Sequence, residues 1–248
     1  MGPKHQELPS QLSMKTFAIL VAALTASATA QLFPPSPSGC PAAPEVDTAN
    51  GVPIKPENVP AGCSDFEVLV ARGTGEPDFA QGGKFGVVVG DPVISNLTRI
   101  LPNARGYPVQ YPASASLLSP RRGSSDVVAR LRRQSTACPN QKFALVGYSQ
   151  GAVVMRSAVT SLSTSIQNKI VALVMFGDPA NRQGRGDDWP AVLRPRDLQI
   201  CAEDGGGDPV CNANGTCIFF HLIYLRPEFI NRAVDFIAAA FRGTPRPA

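Results

Sequence analysis

A short motif that could carry a nucleophile lies near the middle of the chain. Gly147-Tyr148-Ser149-Gln150-Gly151 matches the pattern G-x-S-x-G. It follows an apolar run and precedes a segment rich in Ala and Val, which predicts a sharp turn from a strand into a helix. In such a turn the serine hydroxyl stands clear of the backbone, beside the helix N-terminus. This context favours Ser149 as a nucleophile over an incidental serine in a tight turn.

A serine nucleophile needs a general base, and the chain offers few imidazoles. It has 2 histidines, His5 and His221. His5 falls in the predicted leader described below, so His221 is the remaining candidate in the mature chain. His221 also follows Ser149, as the order serine, acid, histidine of hydrolases with this motif requires.

Four carboxylates are candidates for the acid that orients the imidazole: Asp178, Glu203, Asp204 and Asp208. Asp208 is favoured because it lies between Cys201 and Cys211, where a short disulfide loop would hold it rigidly toward the base. Asp178 follows a predicted strand in Gly-Asp-Pro, a sequence that equally suits a turn-forming carboxylate. It stays open as the alternative acid.

The hydrophobic pattern predicts the elements that must position these residues. Compact apolar runs predict strands at residues 66–71, 143–146, 170–176 and 198–201, and a further strand at 107–111 despite Pro108. Helices are expected from Asp91-Pro92, from a cap at Ser125, and over residues 150–161 and 227–241. Apolar strands that alternate with helices predict a parallel sheet covered on both faces. The reactive groups of such sheets gather at the carboxyl ends of the strands.

Charge and composition exclude several function classes. The formal net charge of +4 is far from the dense basic stripe of nucleic-acid-binding proteins, and Arg130, Arg132 and Arg133 are expected to form a solvated helix face. Gly73-Thr74-Gly75 lacks the third glycine of a dinucleotide-binding loop, since Asp78 takes its place. A single mature histidine beside oxidised cysteines predicts no metal site. We therefore expect no nucleic-acid partner, no metal and no cofactor.

The start of the chain resembles a secretory signal peptide. Lys15 provides a positive n-region, residues 17–24 a short apolar segment, and Ala28-Thr29-Ala30 a small-residue cleavage site. The apolar segment is well short of the ~20 residues that a membrane span needs, so no span is expected. The sequence predicts a leader at residues 1–30, a Pro-rich arm at 31–62 and a catalytic domain at 63–248. Met14-Lys15 suits a conventional signal start, which raises the hypothesis that residues 1–13 are an upstream extension.

Export has two chemical consequences for the folded chain. It permits disulfides among the six cysteines, and it makes the sequons at Asn96 and Asn214 candidate glycan acceptors. We expect a secreted, extracellular monomer.

Several of these motifs together resemble the cutinase family of secreted serine esterases. They are Cys138-Pro139, the run from Gly147 to Ala152, Asp208-Pro209-Val210-Cys211 and His221, and they occur in the family's order. The resemblance spans about residues 63–243. It implies an α/β-hydrolase fold, a three-layer α/β/α sandwich around a mostly parallel five-stranded sheet, with an exposed active site. It also implies Ser149 as nucleophile, His221 as base and Asp208 as acid, with oxyanion donors at Thr74 and at the backbone N–H of Gln150.

The resemblance further implies disulfides from Cys63 to Cys138 and from Cys201 to Cys211, which leaves Cys40 and Cys217 as an additional pair. The loop from Cys201 to Asp208 carries more residues than the family's pattern, so Asp178 remains an alternative acid. The implied activity is hydrolysis of cutin-like polyesters or short-chain acyl esters. An acetylxylan esterase is the nearest alternative, and a catalytically inactive secreted binding module is an alternative from another class.

Overall fold

The computed structural model of the protein describes residues 38–42, 55–76, 83–203 and 206–247. All of these lie in the unit Ser36–Ala248. The predicted leader and most of the Pro-rich arm fall outside the described residues. No helix in the described part of the chain is long and apolar enough to cross a membrane.

Five strands form one parallel sheet, in the order β2-β1-β3-β4-β5. They are β1 (Phe66–Ala71), β2 (Ala104–Pro108), β3 (Lys142–Tyr148), β4 (Ile170–Phe176) and β5 (Asp197–Ile200). The central strands β1, β3 and β4 are buried along almost their whole length. That burial explains why their sequences are nearly continuous apolar runs rather than alternating ones.

Helices cover both faces of this sheet. They are α1 (Gly90–Ile100), α2 (Ser119–Ala137), α3 (Gln150–Val159), α4 (Thr164–Gln167), α5 (Pro179–Arg182) and α6 (Pro227–Arg242), together with 3₁₀ helices at Pro56–Asn58, Arg194–Arg196 and Ile218–Leu225. Residues of α1 and α6 share one hydrophobic cluster with the sheet, and residues of α2 and α3 share the other. The predicted three-layer sandwich with a five-stranded parallel sheet is confirmed.

Two predicted element boundaries are wrong. The second strand lies three residues earlier than predicted, because its ladder with β1 runs from Ala104 to Pro108. Proline is tolerated there because β2 is an edge strand of the sheet. The helix expected from Ser125 begins at Ser119, with Pro120 in its first turn. Gly123 lies inside α2, where glycine allows the helix to pack closely on α3. A Cβ at this position would come within 2.8 Å of Val154.

The prediction of a solvated arginine face is wrong for Arg130. Arg132 and Arg133 are exposed, but Arg130 is only 2% exposed. Its Nε and Nη2 donate to the two carboxylate oxygens of Glu67 on β1, at 2.8 and 2.6 Å. Arg105 on β2 also donates to Glu67, at 2.6 Å. The sequence spacing within α2 could not reveal this contact, since the carboxylate lies 63 residues earlier in the chain.

All six cysteines form disulfides, with Cα atoms 5.7 to 5.9 Å apart. Cys63–Cys138 joins the segment before β1 to the end of α2. Cys201–Cys211 closes the loop after β5. Cys40–Cys217 ties an N-terminal residue to the segment before the 3₁₀ helix Ile218–Leu225. These pairs are the ones that the resemblance and the remaining two cysteines implied.

The buried Arg130 guanidinium gives a stability prediction. Replacing it in Arg130→Met removes one cation from a carboxylate that is shielded from water, and should lower the free energy of unfolding by about 3–5 kcal/mol. Urea unfolding followed by circular dichroism measures the change. Arg133→Met, on the exposed side of the same helix, should change it by no more than about 0.5 kcal/mol. Equal effects of the two variants would contradict the assigned role of Arg130.

Candidate active site

Ser149 occupies a strained turn between β3 and α3. Its φ is +54° and its ψ is −116°, a region that non-glycine residues rarely adopt, at a cost of about 1–3 kcal/mol. Both positions flanking the turn must be glycine, because a side chain at either would overlap the backbone of a neighbouring segment. A Cβ at Gly147 would lie 2.7 Å from the backbone of Ala152, and one at Gly151 would lie 2.0 Å from the carbonyl oxygen of Ala71. The sharp strand-to-helix turn expected from the motif is therefore present.

His221 and Asp208 form a buried hydrogen-bonded pair. The Nδ1 of His221 lies 2.7 Å from Oδ2 of Asp208, and both side chains are shielded from solvent. A carboxylate accepts hydrogen bonds only, so Nδ1 carries the proton of this bond. In a neutral imidazole, Nε2 is then left unprotonated and can accept a proton.

Two further donors hold the Asp208 carboxylate in place. The hydroxyl of Tyr224 donates to Oδ2 at 2.5 Å, and the backbone N–H of Val210 donates to Oδ1 at 2.8 Å. Burial and the nearby Asp208 carboxylate raise the pKa of Tyr224, so its hydroxyl stays protonated as a donor. The Cys201–Cys211 disulfide and a backbone bond from Asp208 to Ala202 at 2.8 Å restrain the loop itself.

Residues at the ends of β3 and β4 position the His221 imidazole. Tyr148, the last residue of β3, donates its hydroxyl to the carbonyl oxygen of His221 at 2.7 Å. Gly177, directly after β4, has a φ of +55° and leaves room for the ring, since a Cβ there would lie 2.6 Å from Cε1 of His221. Neither Tyr148 nor Tyr224 was among the residues predicted from sequence. Tyr148 stands at a variable position of the G-x-S-x-G motif, and Tyr224 follows His221 by three residues, so no pattern marks either one as a positioning residue.

Asp178, the alternative acid, forms its hydrogen bonds with Arg156 and Ala180. Its Oδ2 accepts a bond from Nε of Arg156 at 2.6 Å, and its Oδ1 accepts the N–H of Ala180 at 2.9 Å, at the start of α5. It lines a separate cavity of about 620 Å³ beside Arg156 and Trp189. Of the two remaining candidates, Glu203 is exposed and Asp204 lies outside the described residues. Asp208 is thus the candidate carboxylate that contacts His221.

The segment after β1 lies against the turn that holds Ser149. A Cβ at Gly73 would come within 2.7 Å of the Tyr148 ring and 3.5 Å of the Ser149 Cβ. Thr74 follows directly, and the N–H of Gly75 donates to the carbonyl oxygen of Ala113 at 2.7 Å. This arrangement brings the predicted oxyanion residue Thr74 to the same end of the sheet as Ser149.

Gln150, the other predicted oxyanion residue, is the first residue of α3. Its side-chain amide is occupied, because Oε1 accepts the hydroxyl of Ser119 and Nε2 donates to the carbonyl oxygen of Ser114, each at 2.9 Å. The first N–H groups of a helix have no intrahelical acceptor and suit an anionic ligand atom. The backbone rather than the side chain of Gln150 is therefore the donor to consider.

A third residue near this loop, Glu76, was not predicted from sequence. Its carboxyl is only 3% exposed and accepts backbone N–H bonds from Gly73 and Val88, at 2.9 and 2.6 Å. Burial raises the pKa of Glu76 to about 7, an effect that these hydrogen bonds and Arg72 partly offset. Its position two residues after Thr74 gives no pattern that distinguishes it from an exposed loop glutamate.

One cluster in the described part of the chain has the side-chain types of a metal site: Cys201, Asp208 and Cys211. Both sulfur atoms belong to a single disulfide, so neither is a thiolate that could bind a metal ion. The cluster therefore has a structural explanation, and only its carboxylate retains ligand character.

Comparison with known proteins identifies the family. The family model described as Cutinase matches residues 62–241. Carboxylesterase Culp1 of Mycobacterium tuberculosis is 31% identical over 186 residues, which cover 71% of this chain and 81% of the relative.

Solved structures agree with this match. The structure of Trichoderma reesei cutinase in complex with a phosphonate inhibitor has a TM-score of 0.59 and 31% identity, and the likeness covers 72% of this chain and 77% of that one. An acetylxylan esterase has a TM-score of 0.59 and 25% identity, over 73% of this chain and 100% of that one. The resemblance found in the motifs is thereby confirmed, and the protein belongs to the cutinase family of carboxylic-ester hydrolases.

Proposed function

We propose that this protein is a secreted serine esterase in which Ser149 is the nucleophile, His221 the general base and Asp208 the acid that orients the base. The observation that carries this proposal is the buried 2.7 Å hydrogen bond between Nδ1 of His221 and Asp208. It directs Nε2 of the only histidine after the predicted leader away from the acid. The strained backbone of Ser149 supports the same assignment, because strain of this kind is typical of a nucleophile turn.

The proposed reaction begins with proton transfer from Ser149 to His221. As Oγ attacks the ester carbonyl carbon, Nε2 accepts its proton, and the Asp208 carboxylate stabilises the resulting imidazolium. The carbonyl oxygen becomes an oxyanion, to which Thr74 and the backbone N–H of Gln150 would donate hydrogen bonds. Collapse of this intermediate breaks the ester C–O bond, and the imidazolium returns the proton to the departing alcohol.

The second half of the reaction uses the same groups. Water loses a proton to Nε2 and attacks the acyl-serine, and a second oxyanion forms at the same donors. Its collapse releases the carboxylic acid and returns the proton to Ser149. All proton transfers go through His221, which explains the need for a fixed imidazole orientation.

Substitution of the proposed triad tests this mechanism. Ser149→Ala and His221→Ala should each lower kcat for p-nitrophenyl butyrate on the order of 10⁶-fold, because each removes a covalent or proton-transfer partner. Asp208→Asn should lower kcat by about 10⁴-fold, since an amide no longer favours the required imidazole tautomer. Initial rates at saturating ester measure these effects.

Asp178→Asn is the matched control for Asp208→Asn. It also removes a buried carboxylate, but one that pairs with Arg156. We expect a lower melting temperature with kcat within about threefold of wild type, since the change leaves the His221 contacts intact. A kcat loss in Asp178→Asn that matches or exceeds the loss in Asp208→Asn would identify Asp178 as the acid.

Exposed leucines beside the proposed site favour esters with apolar acyl chains. Leu117 is 92% exposed and Leu118 is 54% exposed, in the loop that Ser114 and Ser119 fasten to Gln150. Leu225, at the end of the 3₁₀ helix that carries His221, is 57% exposed. Apolar side chains therefore project from both segments that flank the reacting groups. We infer a preference for cutin-like polyesters or short-chain acyl esters.

The acyl preference can be measured with Leu117→Ser. Removing this side chain should lower kcat/KM for p-nitrophenyl octanoate by about 10-fold and for the acetate by less than about 2-fold, because only the longer chain has apolar area to bury against it. Ile100→Ser is the control, since Ile100 is also exposed but ends α1, at the edge of the sheet where β2 begins. Equal losses for both esters would contradict the inference.

The two alternatives differ in their outcomes. An acetylxylan esterase, the activity named for one structural neighbour, would hydrolyse acetylated xylan far better than butyrate or octanoate esters. A binding module without catalysis would show no hydrolysis in wild type or in Ser149→Ala. The hydrogen-bonded His221–Asp208 pair favours a catalyst, since a binding module has no need to hold an imidazole in one orientation.

Secretion is supported by the three disulfides, which persist in oxidising compartments. In such a compartment Asn214 is the better glycan acceptor of the two sequons. It is exposed in a turn outside any helix or strand, whereas Asn96 is half-buried within α1. In addition, the Thr98 hydroxyl of the Asn96 sequon donates to the carbonyl oxygen of Ile94 at 2.9 Å.

Secretion from a eukaryotic host tests this choice between the sequons. Digestion with peptide N-glycosidase F should lower the mass of the wild-type protein and of Asn96→Gln. It should leave Asn214→Gln unchanged, because that variant lacks the exposed acceptor. Glycan loss in Asn96→Gln instead, or an unmodified wild-type protein, would contradict the assignment.

A further inference from the structure

Glu76 is a buried carboxyl that the mechanism above does not use. It lies at the end of the described segment that follows β1, two residues after Thr74. Its two oxygen atoms accept hydrogen bonds from two different parts of the chain. Oε2 accepts the N–H of Gly73 at 2.9 Å, and Oε1 accepts the N–H of Val88 at 2.6 Å, just before α1.

The packing around Glu76 leaves the carboxyl in one position. A Cβ at Gly86 would lie 2.6 Å from Oε2 and 2.8 Å from Oε1, so glycine is required for the carboxyl to fit beneath this turn. The N–H of Glu76 also donates to the carbonyl oxygen of Gly73 at 3.1 Å. The segment 73–76 is thus closed on itself by one backbone bond and one side-chain bond.

Gly73 links this carboxyl to the reacting groups. It packs so closely on the Tyr148 ring that a Cβ would lie 2.7 Å from it, beside Ser149, and it precedes Thr74 directly. A change at Gly73 therefore moves Thr74 relative to the Ser149 hydroxyl. A displacement of about 1 Å is enough to cost on the order of 100-fold in rate at such a site.

We propose that Glu76 is a positioning residue that holds the Gly73–Thr74 backbone against the nucleophile's turn, so that Thr74 meets the oxyanion. This inference rests on the proposed function. The carboxyl suits the role because an ionised carboxylate is an acceptor-only group that can satisfy both N–H groups at once. An amide offers a single oxygen, and its NH₂ would face one of the two N–H donors.

Other titratable groups surround Glu76 and set its protonation. Arg72 lowers its pKa, and Asp91 raises it. The hydroxyls of Tyr111 and Tyr148 also interact with its charge, and both have raised pKa values, so they remain neutral. Burial is the largest influence and raises the pKa of Glu76 to about 7. Kinetic tests at pH 8 therefore compare a largely ionised carboxylate with its substitutes.

The decisive experiment combines Glu76→Gln with Thr74→Ala in a double-mutant cycle on p-nitrophenyl butyrate hydrolysis at pH 8. Glu76→Gln should lower kcat by about 10- to 100-fold and leave KM within about 3-fold, because the oxyanion forms only after binding. The double variant should be no more than about 3-fold slower than the slower single variant, because both changes act on one donor. Asp197→Asn, a half-buried carboxyl at the start of β5, an edge strand on the far side of the sheet from β2, should keep wild-type kcat.

Several results would overturn the proposal. They are wild-type kcat in Glu76→Gln, a loss carried by KM alone, or single losses that multiply in the double variant. If Thr74→Ala itself keeps wild-type kcat, the donor is the Thr74 backbone N–H and the kcat of Glu76→Gln alone decides. Loss of activity in Ser149→Ala with full activity in Glu76→Gln would reject this inference and retain the proposed function.

Two additional measurements keep the proposal testable if the Glu76→Gln variant misfolds. Glu76→Asp keeps the carboxylate but is one methylene shorter, so it should lose kcat even where Glu76→Gln fails to fold. The pH dependence of thermal unfolding reports on the pKa of the Glu76 carboxyl in the folded state. The folded state holds the Glu76 proton up to about pH 7, against 4.5 for an ordinary glutamate, so wild-type stability should fall as pH rises through this window. Glu76→Gln should lack that component. Wild-type kcat in Glu76→Asp would reject the proposal.

Discussion

The strained turn at Ser149 is the constraint on which the rest of the site depends. A serine at positive φ is stable only where its neighbours leave no alternative. Here β3 ends in the centre of the sheet, and α3 starts so close to β1 that residue 151 has no room for a side chain. The two buried clusters that flank the sheet supply the packing free energy that offsets this local cost.

Three separate loops lie around the candidate site, and each is held by its own hydrogen bonds or disulfide. The loop after β1 is fastened by Glu76, the segment 109–118 after β2 by Gln150, and the Asp208 loop by a disulfide and Tyr224. Tyr148 connects the turn to the 3₁₀ helix Ile218–Leu225, because it precedes Ser149 and donates its hydroxyl to the backbone carbonyl of His221. Little in this arrangement can adjust independently, as expected for a preorganised site.

Local patterns in the sequence predict much of the fold, and long-range contacts account for what they miss. The apolar runs of β1 and β4 have unmistakable boundaries, because both strands are buried on both sides. The start of α2 was misplaced because Ser125 was expected to be the cap, whereas the helix begins six residues earlier at Ser119-Pro120. Arg130 and Glu76 were missed for a related reason. Arg130 pairs with a carboxylate on β1, and Glu76 accepts the N–H of Val88 twelve residues further along, so no periodicity within a single segment can reveal that they are buried.

The Cys40–Cys217 bridge has a consequence for how the chain is made. The two cysteines are 177 residues apart, so this bridge cannot close until the polypeptide has been extended beyond residue 217. The segment that carries His221 therefore acquires this covalent restraint only after the cysteines of both other bridges have been made, and from one of the first parts of the folded unit to emerge. A chain made in a reducing cytoplasm would lack this restraint next to His221, even if its sheet and helices had formed.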